Sequence, residues 1–393
     1  MHKNERITCT ICGENYWSLQ GLERHRQDVH DTRAVPVQTK DYIPAPASPI
    51  PSDSEGKSNS LESEDPCCKV YTDPECPTDP GTQEIEPTQG HREDETSHSQ
   101  DSKSSLLLID THSHFNLITD LSVGITKERL EDILDKEWSL GFDKFILWKI
   151  LCVLHNPARW DGINFENFDS SVVKLAVGIH PCMAHLATPG KLDHLEYIAG
   201  HEAVIAIGET GLDYKVGRAS PRIQRNSLRK HTAIASRLKL PLILHLRGRG
   251  SIEDYLEMSF DLDTPIIIHS VALPWYLIEK ALRRQNTFLS FNSLLVSGGD
   301  EGERMREAAQ KAPLHSVLLE TDAPKLKMVA PNGEHIKGSP GSLRSVLQVL
   351  YDLRTAVGMK MTVEDFSGTI FINSLKALPG LKGKVDSSMC TYI

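Results

Sequence analysis

Leu106-Leu-Leu-Ile-Asp-Thr-His-Ser-His114 is an apolar, strand-like run that closes on His112 and His114, and four other runs close in a related way. Val204-Ile-Ala-Ile-Gly-Glu209 ends in a carboxylate, Pro241-Leu-Ile-Leu-His245 and Pro265-Ile-Ile-Ile-His269 end in histidines, and Ser316-Val-Leu-Leu-Glu-Thr-Asp322 ends in Asp322. One buried strand closed by a histidine means little, because a core histidine can satisfy itself with a backbone carbonyl. Five such closures are another matter. Histidine and carboxylate at the C-terminal ends of parallel strands is how a (β/α)8 barrel assembles a metal site at one mouth. Alternate side chains of an extended strand share a face, so Asp110, His112 and His114 are expected to point toward that mouth together.

From Leu106 onward strand-like and helix-like segments alternate. Strands are predicted at Leu106 to Asp110, Lys144 to Lys149, Leu175 to Ile179, Val204 to Gly208, Leu242 to His245, Ile266 to His269, Phe288 to Phe291 and Val317 to Glu320. Eight strands suit an α/β chain closed into a TIM-type barrel. Amphipathic segments such as Ile223 to Leu238 and Pro274 to Gln285 lie between them, and Thr362 with Asp365 makes a capping box for a final helix. Between Trp148 and Val173 the helical signal is poor.

The formal charge of -10 is unevenly placed. Residues 31–105 hold sixteen acidic and six basic side chains and ten of the 22 prolines, with few large apolar residues. Such a stretch cannot bury enough surface to offset its ordering entropy, so it is expected to be a disordered acidic linker. Residues 106–393 carry thirty-three acidic and thirty-three basic residues and lack the broad basic field of a tight duplex binder. No run approaches the roughly 18 consecutive apolar residues of a membrane span. The opening MHKNERITC lacks the apolar core of a signal peptide. Apart from the finger motif below, the eight cysteines show no disulfide spacing, which favours a reducing compartment, nucleus or cytoplasm. At the other end, Cys390-Thr-Tyr-Ile393 is a poor prenylation box, while its last three residues match the Ser/Thr-x-hydrophobic pattern of PDZ-binding tails.

Cys9 and Cys12, then His25 and His30, give C-x2-C-x12-H-x4-H, with Tyr16 and Leu22 at the two expected apolar positions. The pattern resembles a two-Cys, two-His zinc finger of ββα form, whose small core leaves one structural Zn2+ to supply most of the folding energy. With net charge zero, a single finger makes few phosphate contacts. Protein docking is as good a use for it, or for the linker, as help in capturing nucleic acid. The expected order is finger (1–30), linker (31–105), barrel (106–380) and a short tail (381–393).

In order, the motif HSH with Asp110 before it, VGIHP ending in Pro181, IGETGLDY ending in Tyr214, PLILHLR ending in Arg247 and LLETDAP ending in Pro324 resemble the signatures of the TatD-type metal-dependent deoxyribonucleases. The resemblance covers residues 106–378. Two departures stand out: the family usually has Cys-Phe-Ser-Gly where this chain has Ser270, Val271, Ala272 and Leu273, and a Tyr where it has Lys325. The resemblance implies two divalent cations (Mg, Mn or Zn), one on His112, His114, Glu209 and Asp322, the other on Glu209, His245 and His269. Glu209 would bridge them, and Asp322 would orient or deprotonate the attacking water. Asp110 is expected to fix a histidine tautomer. His180, Tyr214 and Arg247 are candidate substrate contacts, Arg247 as a phosphate clamp or, alternatively, as one half of an ion pair.

Two cations suit phosphodiester hydrolysis, and the expected activity is that of a deoxyribonuclease trimming single strands from the 3′ end, with RNA as a further substrate. A barrel hydrolase of a small phosphoester or amide is the alternative. A third is an inert scaffold that recruits partners through finger and linker.

Overall fold

The computed structural model describes residues 106–258 and 262–382, together with the backbone of a short antiparallel ribbon, Ile7–Thr8 paired with Asn15–Tyr16. The finger ligands Cys9, Cys12, His25 and His30, the linker and the tail beyond Lys382 lie outside the described residues.

Eight parallel strands follow one another around a barrel: β1 (Leu107–Ser113), β2 (Ile146–Leu154), β3 (Val173–Val177), β4 (Val204–Asp213), β5 (Leu242–Arg247), β6 (Ile266–His269), β7 (Thr287–Phe291) and β8 (Val317–Leu319). Neighbours in sequence are neighbours in the sheet throughout. The first and last strands meet just beyond β8, where Asp322 N donates to His112 O at 2.9 Å and His114 N to Ala323 O at 2.7 Å. That seam matters for the chemistry, because it sets Asp322 beside the two histidines of β1.

Strand parity explains why near-continuous apolar runs are needed. Ile243, Ile267, Ala206 and Leu318 pack together with Ile109 and Val153, whereas Leu242, Leu244, Ile266 and Ile268 pack into the larger cluster shared with the helices. A parallel strand covered on both faces must be apolar at every position. His245 and His269 have the parity of Ile243 and Ile267, so they emerge on the inner face where the strands end.

Among the described residues six helices link one strand to the next, α1 (Lys127–Trp138), α2 (Pro189–Ala199), α3 (Pro221–Leu238), α4 (Ser251–Glu257), α5 (Trp275–Leu282) and α6 (Gly299–Lys311), and two more, α7 (Leu343–Ala356) and α8 (Val363–Ala377), follow β8. Side-chain oxygens open several of them: Thr126 accepts from Arg129 N, Thr188 from Lys191 N, Ser220 from Ile223 N and Thr362 from Asp365 N. The predicted cap at Thr362 is therefore where the sequence placed it. At the N-terminal ends of the strands, Leu375, Ala377, Leu378 and Leu381 join the inner apolar cluster and plug the barrel floor.

Two sequence expectations need correction. β2 was expected to end at Lys149 but runs to Leu154, because Ile150, Leu151, Cys152, Val153 and Leu154 are all buried and continue the ladder with β3. β4 does not stop at Gly208 but continues through Glu209 to Asp213. The crossover from β2 to β3, where helical signal was weak, holds two 3-10 turns, Pro157–Gly162 and Phe165–Asn167, anchored by Trp160 Nε1 donating to Leu154 O. A hairpin, β9 (Lys327–Val329) and β10 (His335–Lys337), rises from the mouth after β8.

Candidate metal centre

Glu209 is the hub of the mouth. Its Oε2 faces His112 Nε2 at 3.8 Å and His114 Nε2 at 3.7 Å, while its Oε1 faces His245 Nδ1 at 2.6 Å, His269 Nε2 at 3.5 Å and His180 Nε2 at 3.6 Å. The two oxygens of one buried carboxylate thus look at two separate groups of imidazoles. Asp322 Oδ1 completes the first group, 3.3 Å from His114 Nε2 and 3.8 Å from His112 Nε2. All six residues singled out as ligands in the sequence meet around Glu209 at the mouth.

Local backbone makes this possible. Gly208 and Gly211 flank the hub with φ of +140° and +145°, and a Cβ on Gly211 would drive into the carbonyl of His245. Only glycine lets β4 lie that close to β5 while turning Glu209 inward. Asp322 itself sits in the left-handed region at φ +53°, which aspartate tolerates better than most residues.

Tautomers follow from the outer partners. His114 Nδ1 donates to Val153 O at 3.0 Å, leaving Nε2 as a lone pair toward Glu209 and Asp322. His269 Nδ1 donates to Glu320 Oε2 at 3.0 Å, and Glu320 is held in turn by Ser270 N and Asn292 Nδ2. In His180 the arrangement is reversed, since Cys182 N donates into Nδ1 and the ring proton must sit on Nε2, facing Glu209. Both nitrogens of buried His112, and Oδ1 of Asp322, have no hydrogen-bond partner among the described residues. Buried polar atoms left so are costly, and a set of imidazole and carboxylate donors aimed at one point fits borderline divalent cations.

Electrostatics point the same way. Burial alone would raise the carboxyl of Glu209, but His180, His245 and His269 outweigh it and hold it well below the usual range. Burial pulls His245 down, yet its bonds to Asp213 and Glu209 prevail and lift it to about 10. Burial likewise opposes the charge on His269, which Glu320 and Glu209 raise to about 9. A proton on these rings and a cation in the same place are alternatives, so binding of a cation releases protons.

Asp110 does not do what the sequence suggested. Its carboxylate accepts from Thr321 N at 3.0 Å, Thr321 Oγ1 at 2.5 Å and His112 N at 3.3 Å, tying β1 to the loop after β8. Burial lifts its pKa to about 7. The carboxylate that steadies a histidine ring is Glu320, whose backbone N–H also bonds to β7 through Phe291 O. Of the candidate substrate contacts, His180 lines the centre. Arg247 lines it too, but is held by Glu301 through two bonds of 3.2 Å, which is the ion-pair alternative. Tyr214 lines the neighbouring cavity with its hydroxyl donating to Asp254 Oδ2 at 2.7 Å.

Sequence reasoning missed four residues. His155 Nδ1 lies 3.0 Å from His114 Nδ1, and Asp213 Oδ2 lies 3.2 Å from His245 Nε2. His155 follows the apolar run of β2 and Asp213 is the last residue of β4, so both come into view once those strands are read to their ends. Glu320 hides in the same LLETD run as Asp322. His231, on α3, accepts from Ile179 N at 3.0 Å and so steadies the residue before His180; no pattern in the sequence marks it. The histidine-rich groupings at the mouth include His112, His114 and Asp322, and also His180, Cys182 and Asp213.

Comparison with known proteins agrees with this geometry. Residues 109–378 match the family described as TatD related DNase. The chain is 25% identical over 267 residues to the uncharacterized metal-dependent hydrolase YabD of Bacillus subtilis, covering 66% of this chain and 94% of that one. It is 28% identical over 222 residues to the human 3′-5′ RNA nuclease TATDN2, covering 55% of this chain and 28% of the human protein. The fold is similar to that of the TatD homologue YjjV from Escherichia coli, with a TM-score of 0.55 at 22% identity over 69% of this chain and 98% of that one. No helix of the described residues is long and apolar enough to cross a membrane. The chain is a member of the TatD-related family of metal-dependent hydrolases.

Proposed function

We propose that this metal-dependent hydrolase is a nuclease that cleaves phosphodiester bonds of single-stranded DNA or RNA, one or a few nucleotides at a time from the 3′ end. The observation that carries the reading is the split of Glu209, one oxygen toward His112 and His114 and the other toward His245 and His269. A carboxylate so placed suits a two-cation centre, and two cations activate water and neutralise charge on the phosphoryl and leaving oxygens. A human relative described as a 3′-5′ RNA nuclease supports the choice of substrate.

The protein's own groups have distinct parts. Asp322, with an unpartnered oxygen beside His112 and His114, accepts the proton of the attacking water. His180, protonated on Nε2, offers a donor to a phosphoryl oxygen. Lys325 at the same opening adds positive charge toward the phosphate, whereas the charge of Arg247 is paired with Glu301. Whether the ions are Mg, Mn or Zn is a matter for titration. The finger motif is assigned one structural Zn2+, which the ribbon bracketing Cys9 and Cys12 in sequence supports.

The test is cleavage of matched single-stranded, duplex and RNA oligonucleotides with Mg2+, Mn2+ or Zn2+, beside a panel of small phosphoesters and amides. Shortening of single strands from the 3′ end, abolished by Glu209→Ala, is expected. Hydrolysis confined to the small esters or amides would overturn the nuclease reading, and no hydrolysis with any metal would favour a scaffold.

A further inference from the structure

The cavity at the candidate centre measures only about 40 Å3, room for a few water-sized groups. A scissile phosphate and the ions implied there would take up that space, leaving the rest of a substrate to the neighbouring surface. A second cavity of about 510 Å3 opens directly from it, sharing His245, Arg247 and His269. Its size is that of a site for a small organic ligand.

The walls of that cavity have a distinct chemistry. Ala272, Leu273, Pro274 and Leu277, from the loop after β6 and the start of α5, make one part of its lining apolar. Tyr276 stands at the rim, 60% exposed, an unusual place for a large ring. Tyr214 opposite is fixed by its hydroxyl bond to Asp254. Arg247, Arg249 and Arg304 line the cavity, but so do Glu253, Asp300 and Glu301, and Glu301 bonds to Arg247. Mixed charge of this kind gives no field for a run of phosphates. A flat, uncharged, aromatic group beside a single phosphate satisfies apolar lining, rim and volume together.

We propose that this second cavity, bounded by Leu273, Pro274 and Tyr276, holds the nucleobase of the nucleotide whose 5′-phosphate is attacked at the metal centre. The proposal rests on the phosphodiesterase reading above and adds the pocket that selects nucleotides over other phosphoesters. Stacking on Tyr276 and contact with the apolar lining use the face that every base shares, so the pocket accepts all four bases while rejecting esters that lack one.

The experiment compares two esters with the same leaving group, thymidine 5′-(p-nitrophenyl phosphate) and methyl p-nitrophenyl phosphate, on the full chain with its activating metal. Loss of p-nitrophenol from the first mimics removal of a 3′-terminal nucleotide. The nucleoside ester is expected to have a kcat/KM at least about tenfold higher, the scale of one stacked base. Tyr276→Ala should erase most of that advantage through KM, and Tyr276→Phe, which keeps the ring, should retain it. An oligonucleotide with an abasic 3′-terminal residue should be trimmed about tenfold more slowly than its parent. Equal rates on the two esters, or an advantage that survives Tyr276→Ala, would overturn the pocket while leaving the phosphodiesterase intact. If neither ester nor any oligonucleotide is cleaved, the phosphodiesterase reading fails first and the pocket, having no reaction to serve, fails with it.

Discussion

Glu209 carries two tasks that a neutral isostere cannot share. Its oxygens face separate groups of histidines, so Glu209→Gln removes the negative charge from both sides at once. Loss of one electrostatic contact to a transition state typically costs about 10² to 10³ in rate. Glu209→Gln is therefore expected to cost more than that, and more than alanine at His112, His114, His245 or His269 taken singly, when kcat is measured on a short oligonucleotide with contaminating nuclease excluded. Near-normal hydrolysis would contradict the bridging role. Glu320 never reaches the cations in this scheme, yet its bond to His269 Nδ1 decides which ring nitrogen is free. Glu320→Ala should weaken metal affinity by about 10 to 100-fold, the usual effect of losing such an orienting partner. Metal titration followed by calorimetry reads this directly, and an unchanged affinity would show that packing against His112, stacked at 3.7 Å, suffices to hold the ring.

At the scale of elements, α1 is tied to the far end of the chain by Glu137, whose Oε2 accepts from Gly341 N at 2.6 Å just ahead of α7. Burial pushes this carboxyl from its ordinary 4.5 up to about 7, against the hydrogen bonds from Gly341 and Ser339. The folded state therefore keeps a proton that the unfolded chain has lost. Its contribution is complete below pH 4.5 and disappears as pH rises through 7. Wild type should lose stability relative to Glu137→Gln between pH 5 and 8, by up to roughly 3 kcal/mol in denaturant titrations. Parallel pH profiles would show that the carboxyl is not perturbed. Strand existence was legible because parallel strands buried on both faces must be apolar throughout, as Pro265 to His269 shows. Strand ends were not. β2 and β4 continue because ladder partners exist for Cys152 and Asp213, a fact of neighbouring strands that no local pattern contains. Asp110 was misjudged for a related reason: its partner Thr321 is 211 residues away, brought near only when β8 closes against β1.

For the whole molecule, the uneven placement of charge sets how a substrate is held. The excess of ten negative charges falls in residues 31–105, and residues 106–393 are balanced. Cations at the centre are few and engaged: Arg247 by Glu301, with Lys325 beside it. Metal content should divide along the same lines. Native mass spectrometry is expected to show up to three ions on the full chain and one fewer after removal of residues 1–30, and a truncated chain holding no metal would refute the barrel centre. On the function proposed above, such a surface would hold a strand at its last phosphodiester and nucleotide rather than along a groove. Each phosphate contact adds only about 0.7 to the logarithmic salt slope on single strands, so cleavage should show a shallow dependence on salt. Circular single strands, which have no end to offer, should be much poorer substrates than linear ones of the same sequence. The two measurements constrain each other. A steep salt slope with equal cutting of circles and linear strands would mean a long footprint, and the protein would then be an endonuclease that follows the backbone across the mouth. A shallow slope with circles resisting cleavage fits a centre that receives one end of a strand at a time.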